Sequence, residues 1–372
     1  MKLKFVLWLA VLLIYLTTSK GPTPYNYFSR LGYAFSKGQI YITTPKAPEL
    51  SELIPIGNDQ YIVPYAPLPA FLITPLSFLT GNLIDQTLFT IILGSLIPIV
   101  TFMNIFLITK SKQISLLSAL FAGLGTNLWF NSVVGSSWYL GQVASCLMLS
   151  IAIWAEISKK SAVLSGVFLG LAYLGRPHVL LSIPFFVFIN AKNDKQKTIK
   201  LALGIIPSLV INAIYNWVRF GVIWDKGYTL IPGVLSEPWY EKGIFHISYI
   251  PRHIEAVFVR LPLLQNTFPY LKPDYIGMAI WVTSPLFIIL FKTDTKNRLS
   301  ILSIIASLLI FIPIAMHGTI GFTQFGYRFA IDFYPFLFLL VGLVIKKSGI
   351  KPSYILLLIF SIVINFWGIA SL

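Results

Sequence analysis

The chain has 372 residues, of which 56% are Ala, Val, Ile, Leu, Met, Phe, Trp, Tyr or Cys and only 11% are charged. A soluble domain carries about 25% charged residues, so a chain this poor in charge cannot cover itself with a wettable surface; a soluble enzyme, a disordered segment and a repeat solenoid are excluded, and a polytopic all-α membrane protein is expected. The net charge of +15 would suit nucleic acid, but its distribution along the chain assigns it to topology instead.

In chain order, apolar runs of roughly the length a bilayer core demands predict eleven spans: 5–18, 86–108, 114–130, 137–157, 161–175, 177–191, 199–217, 276–291, 299–316, 329–345 and 353–371. The fifth and sixth are short and divided only by Gly175-Arg176-Pro177-His178, which reads as a tight hairpin or a broken re-entrant element. With the N-terminus in the cytoplasm, the inner loops collect Lys2, Lys4, Lys110, Lys112, Lys159, Lys160, Lys192, Lys195, Lys197, Lys200, Lys292, Lys296, Arg298, Lys346, Lys347 and Lys351. Against these 16 basic residues stand only Glu156, Asp194 and Asp294, which leaves 12 of the 28 basic and 10 of the 13 acidic residues outside. The excess charge is a positive-inside signal. It calls for no nucleic acid.

Lys2 and Lys4 before an apolar run also fit a signal peptide, but Thr17-Thr18-Ser19-Lys20 is a poor cleavage site and the alternation of sides works with the first helix kept. Two long segments, 19–85 and 218–275, fall outside. The apolar stretch Ala66 to Thr80 carries Pro67, Pro69 and Pro75 and has no cytoplasmic lysine after it, so it is expected as an interfacial or re-entrant helix. Aromatic residues at 15% suit headgroup-level rings on both faces. The one cysteine, Cys146, lies in an apolar stretch, so neither an intrachain disulfide nor a cysteine zinc site is expected. No repeat or domain boundary is visible, and residues 1–372 read as a single membrane domain.

Six of the seven arginines are outside: Arg30, Arg176, Arg219, Arg252, Arg260 and Arg328. Guanidinium forks match phosphate, whereas lysine is the usual topology marker. Arg176, Arg219 and Arg328 stand within a residue or two of expected helix ends and are candidates for a lipid phosphate; snorkelling and interface anchoring are the plain alternative. A carboxylate beside such a site could deprotonate an incoming hydroxyl. Among the outer acids Glu49, Glu52 and Asp59 share an aromatic loop that returns to the membrane at Pro64-Tyr65-Ala66-Pro67-Leu68-Pro69, which ranks Glu52 and Glu49 first. There is no Walker A, GxGxxG, HExxH or GxSxG motif and no Asp-x-Asp pair. His246 and His253 have no metal-ligand spacing, and His178 and His317 read as helix-end residues, so neither a metal nor another cofactor is implied.

Several strings, in order, resemble a known superfamily: Tyr27 to Tyr41, Glu52 to Pro69, Gly125-Thr126-Asn127-Leu128-Trp129, Gly135-Ser136-Ser137-Trp138, Gly170 to Pro177, Tyr215 to Gly221 with Gly227-Tyr228, and Gln324-Phe325-Gly326-Tyr327-Arg328-Phe329. Together they look like bacterial members of the GT-C glycosyltransferases, the group with protein O-mannosyltransferases and the lipid A aminoarabinose transferase. The resemblance implies transfer of a sugar, with inversion, from a polyprenyl-phosphate donor to a glycan, lipid or protein acceptor at the outer face of a bacterial inner membrane. It also implies an acid of the first outer loop as base and outer Arg or Lys residues on the phosphate. The acid usual soon after the first helix is missing, and Tyr25-Asn26-Tyr27 stands there. Glu52 is the preferred base because its spacing to Tyr61 resembles an Asp-hydrophobic…Gly-x-x-Tyr pattern. The substrate-binding candidates are then Arg328, Arg176, Arg219, Tyr61, Trp138, Gln142 and Tyr327. A lipid transporter or flippase and a non-catalytic lipid-sugar-binding protein remain open, although the spans carry almost no charge at their centres.

Overall fold

The computed structural model describes residues 2–189 and 194–371. It is mostly helical. The first helix, α1 (Lys2–Thr18), leads into α2 (Tyr27–Ser36), strand β1 (Ile42–Thr43), strands β2 (Ile54–Gly57) and β3 (Gln60–Ile62), and helix α3 (Leu68–Thr80). Then follow α4 (Gln86–Thr109), α5 (Lys112–Leu124), α6 (Leu128–Val134), α7 (Ser137–Ile157), α8 (Ala162–Gly175), α9 (Ile183–Phe188) and α10 (Lys195–Phe220). The chain closes with α11 (Ile250–Phe258), strands β4 (Leu263–Leu264) and β5 (Leu271–Lys272), α12 (Ile280–Thr283), α13 (Arg298–Ala315), α14 (Tyr334–Ser348) and α15 (Pro352–Ala370).

Five helices, α4, α7, α10, α13 and α15, are long and apolar enough to cross a membrane, and the bent pair α5 and α6 makes a sixth if it is one span. The other expected spans are shorter for local reasons. The stretch 276–291 is not one α-helix: Ser284 precedes Pro285 and leaves the α region (φ −138, ψ 71), so four-residue α12 gives way to a 3-10 helix over Pro285–Lys292. Pro177 likewise starts a 3-10 turn that runs into α9. The end of the span expected at 177–191, with Lys192, lies outside the described residues. The Pro-rich stretch after Ala66 forms the short helix α3, closed at Gly81 with φ +69.

Helix ends gather at two poles. At one, Lys346 Nζ donates to the Ile108 carbonyl (2.6 Å), Lys347 pairs with Asp294 (2.8 Å), and Lys197 pairs with the buried Glu156. The segments 19–85 and 221–279 gather at the other. There the N–H groups of Phe28 and Ser29 in the first turn of α2 are met by Oε1 of the buried Gln86 (3.1 and 3.2 Å), whose Nε2 donates to Tyr25 O and Gly135 O. One side chain of α4 thus fixes the entry to the first long loop.

The three strands of that loop form a small antiparallel sheet in the order β1-β3-β2, with Ile42 opposite Tyr61. Asn58 and Asp59 make its tight turn with both φ values positive (51 and 54), the geometry that hairpins favour. The all-α expectation therefore holds for the bundle, while the long loops carry short strands.

Helices α8 and α10 approach to backbone contact through small residues spaced by four. A Cβ on Gly166 would lie 2.1 Å from Leu201 O, one on Gly204 2.3 Å from Val163 O, and one on Gly170 2.7 Å from Ser208 Oγ. Such small-residue stripes let apolar helices pack where no water drives them together. Gly204→Val should therefore lower stability by about 1–3 kcal/mol, seen as a lower melting temperature in detergent; an unchanged melting temperature would contradict the contact.

Candidate active site

Glu52 stands between the 3-10 turn Pro48–Leu50 and strand β2, held by the buried Leu50 and Leu53 on either side. Its Oε2 accepts two bonds, from Tyr65 Oη and from Trp138 Nε1 at 2.7 Å, and Trp138 Nε1 also lies 2.9 Å from Tyr65 Oη. No protein group bonds to Oε1 among the described residues. Tyr65 comes from the irregular segment between β3 and α3, and Trp138 from the first turn of α7. Burial, and then the Glu52 charge, push the Tyr65 and Tyr27 phenols up, so both stay protonated, and Tyr65 acts as a donor to the carboxylate. Tyr25 packs on Trp138 with centroids 4.9 Å apart, and Tyr27 stacks on Tyr65 at 6.3 Å.

Arg328 is built into the chain between α13 and α14. Gln324 Oε1 accepts from its backbone N–H (3.1 Å), and Gln142 Nε2 of α7 donates to its carbonyl (3.2 Å). The guanidinium lies over the rings of Phe329 (5.2 Å) and Tyr139 (5.3 Å). Its Nε is buried without a hydrogen-bond partner, and among the described residues no carboxylate pairs with it. A buried guanidinium without an anion is costly unless something supplies one.

Glu52 and Arg328 line the same cavity, of about 650 Å³. Its wall adds Lys20 and Glu237, the hydroxyl-bearing Ser136, Tyr139 and Tyr228, and an aromatic surface from Tyr25, Trp138 and Trp239. Burial pushes the Tyr228 phenol up; the carboxylate of Glu52 adds to this and the guanidinium of Arg328 opposes it, so Tyr228 stands in the field of both. Behind Tyr228 a chain of bonds runs through Tyr240 to His317 (3.2 and 3.4 Å). The Thr319 carbonyl faces His317 Nδ1 (3.0 Å), which sets that nitrogen as the donor and leaves Nε2 as the acceptor of the ring. His253 is fixed in the same way, Nε2 donating to His317 O (2.9 Å) and Nδ1 accepting from Tyr327 Oη (2.6 Å).

The remaining sequence candidates fall elsewhere. Glu49 offers its backbone carbonyl to Tyr27 and is not part of the cavity wall, and Asp59 is an exposed turn residue. Tyr61 is buried in the small sheet. Arg219 is occupied: Nη1 donates to Val63 O (2.8 Å), Nη2 donates to Asn216 Oδ1 (2.7 Å), and the plane stacks on Tyr215 (3.8 Å). It anchors the segment after β3 that delivers Tyr65. Arg176 is also occupied, by the fully buried Asp332, whose Oδ2 takes both Arg176 (3.0 Å) and His178 (2.8 Å). His178 stands at the helix end expected, in the 3-10 turn that follows α8, and its Nε2 meets the same carboxylate as a hydrogen-bond partner. Gln142 and Tyr327 support the site from behind without lining it. Sequence reasoning missed Lys20, Glu237 and Tyr139; Tyr228 carried a signal only in the string Gly227-Tyr228, where the Gly227 backbone packs so closely on Pro64 O that a Cβ would come within 2.2 Å. Among the described residues no group of three or more His, Cys, Asp or Glu side chains could hold a metal ion.

Comparison of the chain with models of known protein families, with curated proteins and with solved structures finds no match in any of the three.

Burial lowers the folded-state pKa of His253 and of His317 to about 4, against about 6.5 in an unfolded chain. Between those values the unfolded chain binds protons that the folded one does not, so the contribution of both histidines is complete above pH 6.5 and is lost as pH falls toward 4. The melting temperature should fall across that window, and His317→Gln should shrink the fall. A melting temperature in His317→Gln with the parent's full pH dependence would contradict the assignment.

Proposed function

We propose that the protein is a membrane glycosyltransferase of the GT-C kind, moving a sugar from a polyprenyl-phosphate donor to the hydroxyl of a glycan, lipid or protein acceptor. The observation that carries this reading is that Arg328, a buried guanidinium with no carboxylate partner among the described residues, and Glu52, whose Oε1 has no protein partner among them, line one cavity. Arg328 holds the phosphate of the donor and stabilises its charge as it leaves. Glu52 Oε1 takes the proton of the acceptor hydroxyl, and the acceptor oxygen bonds to the anomeric carbon from the face opposite the phosphate. The bond from that carbon to the phosphate oxygen breaks, its electron pair goes to polyprenyl phosphate, and the configuration inverts. Trp138 and Tyr65 keep Oε2 occupied, so that Oε1 is the oxygen left for chemistry. Flat aromatic walls suit the apolar faces of a sugar.

The missing acid near the first helix supports a base elsewhere: Asn26 Oδ1 accepts from Arg30 Nε (2.7 Å). In this reading the chain makes eleven passes, several of them short or broken, with a cytoplasmic N-terminus and an outward cavity in a bacterial inner membrane. The lysine pole and the cavity pole stand at opposite ends of the bundle, which is what the positive-inside rule asks of such a protein.

Glu52→Gln keeps the size and hydrogen bonding of the side chain but removes the base, so transfer should fall on the order of a hundred-fold or more while donor binding survives. Arg328→Ala should weaken donor binding by about ten- to a hundred-fold, and Arg328→Lys should restore only part. Radiolabelled lipid-linked sugar reads both. Full transfer by Glu52→Gln would sink the assignment.

A further inference from the structure

Residues 261–273, Leu-Pro-Leu-Leu-Gln-Asn-Thr-Phe-Pro-Tyr-Leu-Lys-Pro, form an antiparallel hairpin with Leu263 opposite Lys272 and Leu264 opposite Leu271. Its apolar side chains face outward. Leu264 is 86% and Phe268 85% exposed, with Leu261, Tyr270 and Leu271 exposed beside them. A loop in water has no reason to present such a tip. The tip is nevertheless ordered, with Gln265 N donating to Tyr270 O (2.8 Å) and Tyr270 N to Thr267 O (2.7 Å). Its base is clasped: Arg260 pairs with Glu255 (3.1 Å) and Asp274 (3.6 Å) and accepts at its carbonyl from Ala279 N (2.8 Å).

We propose that this hairpin is a foot that dips into the adjacent lipid leaflet. Three observations choose lipid over another occupant. First, the base sits at the end of the lipid-type surface of the bundle: Tyr275 Oη donates to Ser371 O (2.7 Å) just beyond α15, whose Ile359, Phe360, Val363 and Phe366 are all exposed. Second, Trp281, a residue type that favours the headgroup level, is partly exposed beside the clasp and donates from Nε1 to Phe258 O (2.8 Å). Third, the segment has no acid, and its exposed Lys272 has no acidic partner among the described residues, which fits anionic headgroups above a buried tip. With about 3.3 Å per residue, the strands carry the tip roughly 10–15 Å from the clasp, enough to pass the headgroups. The inference needs only that the apolar helices cross a bilayer, and it stands whether or not the cavity is catalytic.

The test uses the full chain in nanodiscs of phosphatidylcholine with phosphatidylglycerol. Leu264→Cys and Phe268→Cys are labelled with an environment-sensitive fluorophore, Cys146 being buried, and Asn58→Cys at the exposed sheet turn is the aqueous control. The labels at 264 and 268 should emit to the blue and lose roughly half or more of their intensity to doxyl-labelled lipid, and the label at 58 should do neither. Water-like emission at 264 and 268 would overturn the foot. So would shielded emission that doxyl lipid leaves unquenched, because protein, such as a second copy of the chain, would then cover the hairpin. Tyr270→Cys supplies the same reading if either variant fails to fold.

Discussion

The contact on which the site depends is the one between Glu52 and Trp138. It joins the first long loop to the first turn of α7, a helix buried along most of its length. Without it the 3-10 turn at Pro48–Leu50 and its following acid would be a surface feature of a small sheet. Everything around the contact serves to hold its geometry. Gln86 fixes the chain at Tyr25 and at Phe28 and Ser29, Arg219 grips Val63 just before Tyr65, and Leu50 and Leu53 pin the turn that carries the carboxylate. Because Trp138 and Tyr65 both address Oε2, the two oxygens of Glu52 become inequivalent. One is a fixed acceptor within the protein. The other has no protein partner among the described residues.

The arginines divide by the same logic of burial. A guanidinium removed from water needs an anion or carbonyl oxygens in place of its hydration. Arg176 has Asp332 and Arg219 has Val63 O and Asn216, so both are spent on structure. Arg328 has no carboxylate among the described residues, and it lies against Tyr139 and Phe329 beside a cavity. That asymmetry sets Arg328 apart from two structural arginines, and in the proposed reading the anion it awaits is the phosphate of the lipid donor.

How much of this was legible in the sequence depended on range. The long apolar runs of α4, α7, α10, α13 and α15 were readable because hydropathy is a local property. The position of Glu52 at the bundle was readable because its loop returns directly to an apolar, Pro-rich stretch. The break at Ser284-Pro285 was readable in principle, since a residue before proline avoids the α region, yet the apolar run of 276–291 outweighed it. The fates of Arg176 and Arg219 were not readable. Their partners Asp332 and Val63 lie 156 positions away in each case, and only the folded chain brings them together. Lys20 and Glu237 escaped for the same reason, because nothing local marks either as part of a cavity wall. The short strands were masked by the overall helical composition.

The account's central claim is that one cavity holds a phosphate at Arg328 and presents a sugar to Glu52. An experimental structure of the Glu52→Gln protein with a polyprenyl-phosphate sugar tests it most directly, since turnover is suppressed while the donor is kept. The account predicts phosphate oxygens within hydrogen-bond distance of the Arg328 guanidinium and the sugar ring between that phosphate and residue 52, against Trp138. A phosphate bound elsewhere, with Arg328 still unpaired and the cavity empty of donor, would contradict it.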